Sequence, residues 1–431
     1  MSQSPPKGTY DITPCPLSDE VKWHSSAYWV HVEALAKKTA ELFGCSYIAT
    51  PIFESADLYM RSVGETSDIV SKEMYLFEDR SNRKLSLRPE GTASVVRALI
   101  HKRLFESPFK RLYYLGPMFR YERPQSGRYR QHRQFGVELF GSLSPYTDVE
   151  AIDLMLSFYA SCGLKDLTLN LNSLGTPDCQ KAFAHRLKEY LHTHRAALGK
   201  DSQRRLETNP LRILDTKDPK ERELLANAPK LIESLSSDAR AHFDEVEKLL
   251  NDLSIPYTIS ERLVRGLDYY THTVFEVTSS SLGAQNSLGG GGRYNNLVKE
   301  LGGPDVPAVG FATGLERVVQ TCLAQDALQK AMRGVDLYLF GLGDKAHPET
   351  FKLTTQLRKA GISVLMDLAS KKPAQAIAAA NKLNANYFAI LGESELQEKK
   401  LQLKHLDSRM ETSTSFANVA QAIQTQKEAE S

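Results

Sequence analysis

The chain has 431 residues, 41% of them hydrophobic and 25% charged, enough for a sizeable core divided over two or three domains. Its formal net charge of +2 is too small to mark a nucleic-acid binder by itself, so any such footprint has to come from local clusters. No apolar run approaches the ~18 residues of a membrane helix and Met1 to Pro14 lacks the apolar stretch of a signal peptide, so the expectation is a cytoplasmic protein without membrane contact.

In chain order, Ser26 to Phe43 places Val32, Leu35, Ala36, Thr39, Leu42 and Phe43 at helical spacing and stops at Gly44, which predicts an amphipathic helix. Tyr47 to Phe53, Glu73 to Phe77 and Lys84 to Leu87 read as short strands, the last two around a turn at Asp79 to Asn82. Arg111 to Tyr121 and Gln131 to Phe140 read as the arms of a long antiparallel hairpin joined by a polar loop, Arg123 to Arg130. From about Pro177 to Leu253 charged helical segments take over, with basic residues crowded into the first half, and this stretch is a candidate insertion. Strand signals resume at Tyr257 to Ser260 and Thr273 to Thr278, followed by a glycine-rich turn, Gly289 to Gly292, and a strand-to-helix junction from Val309 to Val319. Beyond Arg333 strands at Val335 to Gly341, Ile362 to Leu365 and Tyr387 to Leu391 alternate with helices at Glu349 to Ala360 and Pro373 to Leu383. Such alternation implies a small α/β domain with a largely parallel sheet, and Glu428 to Ser431 reads as a disordered tail.

The five cysteines (Cys15, Cys45, Cys162, Cys179, Cys322) are scattered and never form C-x-x-C, which argues against a disulfide framework or a structural zinc. His192 and His194 are two apart in a helical stretch, where their side chains diverge, so no metal is expected there either.

The hairpin carries the candidate chemistry. Gln134, Gly136 and Glu138 share one face of the return strand while Phe135, Val137 and Leu139 take the other, and a glycine between two polar side chains leaves room for a ligand above the sheet. A solvated antiparallel face is the competing reading of that strand alone. Arg120, Arg123, Arg128, Arg130 and Arg133 concentrate guanidinium groups on one hairpin, a chemistry suited to polyphosphate or to a nucleic-acid backbone. There is no P-loop, and Gly289 to Gly292 is not a dinucleotide-binding fingerprint. Gly310, Ala312 and Gly314 instead offer a small-residue face on which a flat ring could rest beside Arg317.

Leu87-Arg88-Pro89-Glu90-Gly91-Thr92, Gly116-Pro117-Met118-Phe119-Arg120-Tyr121-Glu122-Arg123-Pro124-Gln125, Gln134-Phe135-Gly136-Val137-Glu138, Leu263-Val264-Arg265-Gly266-Leu267-Asp268-Tyr269-Tyr270 and Gly314-Leu315-Glu316-Arg317 together resemble class II aminoacyl-tRNA synthetases. The Arg-Gly-Leu-Asp-Tyr-Tyr and Gly-Gly-Arg-Tyr segments, with Lys7 to Asp11 at the start, narrow the resemblance to the histidyl-tRNA synthetase family over nearly the whole chain. The resemblance implies an α+β fold: a class II antiparallel sheet flanked by helices over 1–175 and 257–328, a helical insertion over 176–256, and a C-terminal α/β anticodon-binding domain over 334–426. It implies ATP-dependent ligation of L-histidine to its cognate tRNA through a histidyl-adenylate.

Carried over residue by residue, the resemblance puts Arg120 on the α-phosphate, Glu122 on the adenine edge, and Arg317 against the adenine and the γ-phosphate. Arg265 falls beside the α-phosphate and substrate carboxylate, where other class II enzymes use a metal ion, so Arg120 and Arg265 form the expected catalytic pair. Arg128 is placed with the ATP contacts, the loop arginines being candidates for the pyrophosphate end or for the tRNA acceptor stem. Glu90, Gly91, Thr92 and Gln134 match the surroundings of the α-amino group, and Glu138, Tyr269 and Tyr270 the imidazole pocket. The family usually carries Phe-His before this glutamine whereas this chain has His132-Arg133, so His132 is expected to supply the plane that stacks on adenine. ATP is expected with Mg²⁺ on its phosphates, and no structural metal. Phe43 to Phe53, with Pro51, resembles the family's dimer-forming motif, so a homodimer is expected. Lys371, Lys372 and Lys382 are candidates for tRNA contact or for an ordinary solvated helix face. Two alternatives remain open at this point: a catalytically silent relative that regulates histidine biosynthesis within a phosphoribosyltransferase complex, and a class II synthetase for another amino acid.

Overall fold

The structure, a computed structural model, describes residues 4–14, 18–64, 67–123, 127–216, 218–282, 286–328, 334–370 and 372–429. Two compact units, Met1–Leu328 and Gln329–Ser431, make up the chain. In the first, the elements run α1 (Ser26–Leu42), β1 (Ser46–Tyr47), β2 (Phe53–Ser55), α2 (Ala56–Val63), β3 (Leu76–Glu78), β4 (Lys84–Leu87), α3 (Thr92–His101), β5 (Arg111–Phe119), β6 (Gln131–Phe140) and α4 (Pro145–Ser161). They continue with β7 (Leu167–Ser173), α5 (Pro177–Thr193), α6 (Lys200–Thr208), α7 (Pro219–Leu225), α8 (Ser237–Asp252), β8 (Thr258–Ile259), β9 (Thr271–Ser279), β10 (Ser287–Arg293), α9 (Leu297–Glu300), β11 (Ala308–Gly314) and α10 (Leu315–Ala324).

Several helix starts are written locally as a short polar residue followed by proline. Ser144, Thr176 and Asp218 each accept a hydrogen bond from an amide of the first turn, while Pro145, Pro177 and Pro219 occupy positions whose N–H would have no intrahelical partner.

Eight strands form the main sheet in the order β1-β5-β6-β11-β10-β9-β7-β8. The six central strands are antiparallel, and β1 and β8 add parallel at the edges. One face of β6 is dry: Phe135 stands edge-on to Phe158 of α4 at 5.0 Å and to Phe311 of β11 at 5.7 Å. The helices between β7 and β8 do not form a separate core, because Phe183, Leu187 and Leu206 belong to the same buried cluster as Val95, Tyr114 and Val274.

A buried ion pair ties α4 to β10. Arg293 Nε lies 3.0 Å from Asp148 Oδ1, and its other nitrogens donate to Asp148 Oδ2 and to the carbonyls of Ser142 and Ser144. His242 of α8 sits 3.3 Å from the same carboxylate, which is held below its usual acidity range by His242 and Arg293 against the cost of burial.

Three sequence expectations for the first unit need correction. The strand expected over Tyr47 to Phe53 is two fragments in different sheets: β1 pairs with β5 and β2 with β4, and Pro51 between them has no N–H to donate to a ladder. The strand expected from Glu73 begins at Leu76, since Ile69–Glu73 forms a π-helical turn. The glycine turn at Gly289 to Gly292 is the interior of β10, one of the central strands.

The second unit contains β12 (Leu337–Gly341), α11 (His347–Lys359), β13 (Val364–Asp367), α12 (Pro373–Lys382), β14 (Tyr387–Leu391), α13 (Glu393–Glu398), β15 (Lys400–His405), β16 (Glu411–Ser415) and α14 (Val419–Ala429). Its five-stranded sheet has the order β13-β12-β14-β15-β16, parallel over the first three strands and antiparallel over the last two. Leu337 and Leu339 of β12 pack with α11 residues Leu353 and Leu357, while Tyr338 and Phe340 pack with α12 residues Ala376 and Ala380. Both faces are covered, which is why this strand reads as an unbroken apolar run. The tail expected to be disordered is helical as far as Ala429, and residues 430–431 lie outside the described set.

Candidate active site

The site is built on the face of the main sheet opposite Phe135. Register places Tyr114, Gly136, Ala312, Gly290 and Glu276 in one row across β5, β6, β11, β10 and β9, with Gln134 beside Gly314 toward one end and Glu138 beside Gly310 toward the other. Small residues in that row are required by what lies over them. A Cβ on Gly136 would overlap the Tyr114 ring, one on Gly310 would overlap the Glu138 carboxylate, and one on Gly290 would lie 2.9 Å from Arg265 Nη1. The open space expected over Gly136 is therefore taken by Tyr114; Gly314, with nothing within 4 Å, is the position that faces free volume.

That volume is a cleft of ≈ 680 Å³ lined by Arg120, Glu122, Arg128, His132, Gln134 and Arg317 among others. Each cation is aimed by a specific contact. Arg120 Nε donates to Pro89 O at 2.8 Å, Arg128 Nε lies 3.3 Å from Glu122 Oε2, and Arg317 donates to Gly127 O at 3.0 Å and Ser287 O at 2.5 Å. His132 projects among them, and burial together with Arg120 and Arg317 lowers its pKa to about 3, so its ring is neutral at pH 7. A neutral, flat, half-buried ring that faces the cleft is suited to stacking. Of the other hairpin arginines, Arg130 lies over the Tyr121 ring at 3.8 Å and Arg133 pairs with Glu33 at 2.6 Å. The cluster read from sequence is thus divided, with part of its charge neutralised by an acid 100 residues upstream.

At the other end Glu138 is fully buried and accepts from Thr92 Oγ1 at 2.6 Å and from the Tyr294 hydroxyl. Burial raises its pKa to about 8, against the pull of those hydrogen bonds, so a large share of the carboxyl is neutral at pH 7. Tyr269, Tyr270 and Tyr294 pack around it, with ring centroids 4.7 to 6.4 Å apart. Glu90 closes the near side: its two oxygens accept from the amides of Thr92 and Ala93, fixing the first turn of α3. Its pKa is raised by burial, with those amides and Arg120 opposing. Gly91 has to be glycine because a Cβ there would enter the Tyr114 ring. Gln134 Oε1 is buried and makes no hydrogen bond among the described residues.

Arg265 joins the two ends. Its Nη1 donates to Glu276 Oε1 at 2.9 Å, an oxygen that also accepts from Ser287 at 2.8 Å, while its Nε is buried without a hydrogen bond among the described residues. Besides standing over Gly290, Arg265 lines a second cavity of ≈ 1460 Å³ with Arg222 and Arg262. Burial works against its charge, but Glu276 and the neighbouring tyrosines raise its pKa, and the guanidinium stays charged. Sequence reasoning missed Tyr114, Glu276, Ser287 and the role of Tyr294. Only Tyr294 carried a signal, as the last residue of the Gly-Gly-Arg-Tyr segment. Among the described residues no cluster of three or more His, Cys, Asp or Glu side chains could hold a metal, and no helix is long and apolar enough to cross a membrane. Lys371 lies outside the described residues.

An antiparallel sheet with one face given to an arginine-lined cleft and a buried polar pocket, followed by a separate α/β unit, defines a class II aminoacyl-tRNA synthetase. A family model described as Histidyl-tRNA synthetase matches residues 24–318, and one described as Anticodon binding domain matches 336–426. The chain is 48% identical over 409 residues to the histidine–tRNA ligase of Protochlamydia amoebophila, covering 95% of this chain and 96% of that one. To the histidine–tRNA ligase of Bacillus subtilis it is 44% identical over 408 residues, 94% of each. Apo histidyl-tRNA synthetase of S. aureus superposes with a TM-score of 0.79 at 33% identity, over 98% of this chain and 100% of that one. The chain belongs to the histidyl-tRNA synthetase family, and its activity is the charging of tRNA with histidine in translation.

Proposed function

We propose that both ends of this sheet face serve one two-step reaction, with ATP in the arginine-lined cleft and histidine in the tyrosine-walled pocket. What carries the reading is a single strand: Gln134 lines the cleft and Glu138 the pocket, four residues apart, or roughly 13 Å at 3.3 Å per residue. That span suits an aminoacyl-adenylate lying along the strand.

In this reading Glu138 and the tyrosines read the imidazole, which offers one N–H and one acceptor, and a partly neutral carboxyl can meet either nitrogen. Glu90, Thr92 and Gln134, with Gly91 leaving room for the ring of Tyr114, surround the α-amino group. His132 and Arg317 sandwich the adenine, Glu122 reads its edge, and Arg128 takes the pyrophosphate end. Arg120 and Arg265 flank the α-phosphate. A histidine carboxylate oxygen attacks the α-phosphorus, the bond to the β-phosphate oxygen breaks, and pyrophosphate leaves; preorganised guanidinium charge stabilises the crowded phosphorus. The terminal ribose hydroxyl of the tRNA then attacks the carbonyl carbon, and AMP leaves. Mg²⁺ would arrive with ATP, carried on its phosphates.

The α/β unit, with Lys372 and Lys382 at the two ends of α12, would read the anticodon. The exposed Leu42, Tyr47, Ile52 and Phe53 form an apolar segment that favours a homodimer. We place the protein in the cytoplasm, where translation uses its product. The decisive experiment is exchange of labelled pyrophosphate into ATP by the purified protein. Exchange driven by L-histidine is expected; exchange driven by a different amino acid would replace the substrate, and none at all would favour a regulatory relative.

A further inference from the structure

We propose that Tyr10 is a positioning residue for the nucleotide end of the site, acting through Glu316 on the return strand of the β5–β6 hairpin and on the first turn of α10. The inference rests on reading the arginine-lined cleft as the ATP site.

The stretch from Gly127 to Arg133 is one wall of that cleft and carries Arg128, Tyr129 and His132. Paired strand ends at Phe119 opposite Gln131; beyond it the outgoing arm still holds the wall through the Arg120 amide on Arg130 O at 2.9 Å and the Arg128–Glu122 pair, and further contacts come from elsewhere in the chain. Two come from α10: Arg317 Nε donates to Gly127 O at 3.0 Å and Gln320 Nε2 to the Tyr129 hydroxyl at 3.0 Å. Besides the Arg133 pair with Glu33 of α1, others come from the segment before α1. The Arg130 amide donates to Gly8 O at 2.7 Å, and the Tyr10 ring meets Tyr129 edge-on at 5.1 Å.

The Tyr10 hydroxyl donates to Glu316 Oε1 at 2.5 Å, and the same oxygen accepts the Arg133 amide at 2.7 Å. One buried carboxylate oxygen therefore joins three pieces of chain: the opening segment, the return strand and the first turn of α10. Arg317 is the next residue of that turn. A buried carboxylate that loses a donor has to shift toward another or take up a proton, and either response disturbs the turn that aims Arg317. Tyr10 is braced for this task by Trp23 at 4.6 Å and by the stacked ring of His24 at 5.1 Å, so its hydroxyl has little freedom. Among the described residues no hydrogen bond or ring contact joins Glu138, Tyr269, Tyr270 or Tyr294 to this arrangement.

The test is Tyr10→Phe in the full chain, which removes one oxygen and keeps the aromatic packing, assayed by histidine-dependent pyrophosphate exchange. The KM for ATP should rise about tenfold, with the KM for histidine close to that of the parent and the thermal midpoint lowered only by the few degrees that one buried hydrogen bond is worth. Tyr10→Met, which fills much of the same volume without a donor, should show the same ATP-selective rise. Arg317→Ala is run in parallel to check the site reading itself. If Arg317→Ala raises the KM for ATP and neither Tyr10 variant does, the positioning role is wrong. If Arg317→Ala also leaves it unchanged, the assignment of the cleft to ATP is what fails. Equal rises in both KM values accompanied by a lowered thermal midpoint would make Tyr10 a merely structural residue and overturn the inference.

Discussion

Glu138 has to be a hydrogen-bond acceptor for Thr92 and Tyr294 while buried where a full negative charge is costly, and its raised pKa is the outcome of that conflict. Glu138→Gln keeps the shape but fixes the group as neutral with a defined donor side. We expect the KM for histidine to rise on the order of tenfold to a hundredfold, as for a hydrogen bond mismatched in a pocket that must satisfy both imidazole nitrogens, with the KM for ATP little changed. Stability supplies a second readout. The group titrates at 4.5 when unfolded and at about 8 in the fold, so the folded chain holds the proton more tightly. Its contribution is complete below the unfolded value and is lost as pH rises toward 8, by at most about 1.4 kcal/mol per pH unit. Thermal melts from pH 5 to pH 8 should show the parent losing ground to Glu138→Gln; a constant difference would exclude the shift. At this scale the sequence was informative where chemistry follows one strand's alternation, as for Gln134 and Glu138. It was silent on Glu276 and Tyr114, which reach the site through cross-strand register, and periodicity carries no information about which strands become neighbours.

The misread element is the most instructive one. Four glycines in a row argue for a turn, since glycine costs entropy and packs nothing in a strand, and only the neighbours reverse that preference. Within β10 a Cβ on Gly290 would meet Phe275 O at 2.5 Å and Arg265 Nη1 at 2.9 Å, and one on Gly292 would meet Thr273 O at 2.6 Å. The strand is a floor thinned to bring Arg265 down onto the sheet. Gly290→Ala is therefore expected to lower the thermal midpoint, at a cost of about 1–3 kcal/mol from overpacking, and to lower kcat through displaced Arg265. Gly314→Ala, with nothing within 4 Å, should melt like the parent and yet raise the KM for ATP, because the added methyl projects into the cleft. Parallel melting curves and exchange kinetics decide both. The hairpin, by contrast, was legible nearly to the residue, with β6 observed over the same span that the alternation predicted.

At the scale of the whole chain the two units have unrelated cores, the second built on both faces of β12. Removal of Gln329–Ser431 is expected to leave histidine-dependent pyrophosphate exchange within a few-fold of the parent and to abolish most aminoacylation of tRNA at sub-saturating tRNA. A parallel loss of both activities would show that the first unit does not stand alone. The alternation of strand and helix made the class of the second unit readable, whereas its closing hairpin, β15 and β16, was missed because its exposed alternate residues are polar and leave only Leu401 and Leu403 as apolar signal.

The Asp148–Arg293 pair has a consequence for synthesis on the ribosome. The partners are 145 residues apart, with all of α5–α8 between them. At roughly 5–20 residues per second, α4 emerges about 7 to 29 seconds before the guanidinium that neutralises its buried carboxylate. Until then that carboxylate has to remain hydrated or protonated, so final docking of α4 against the sheet waits for β10, and the nascent chain is exposed to aggregation and open to chaperones for that interval.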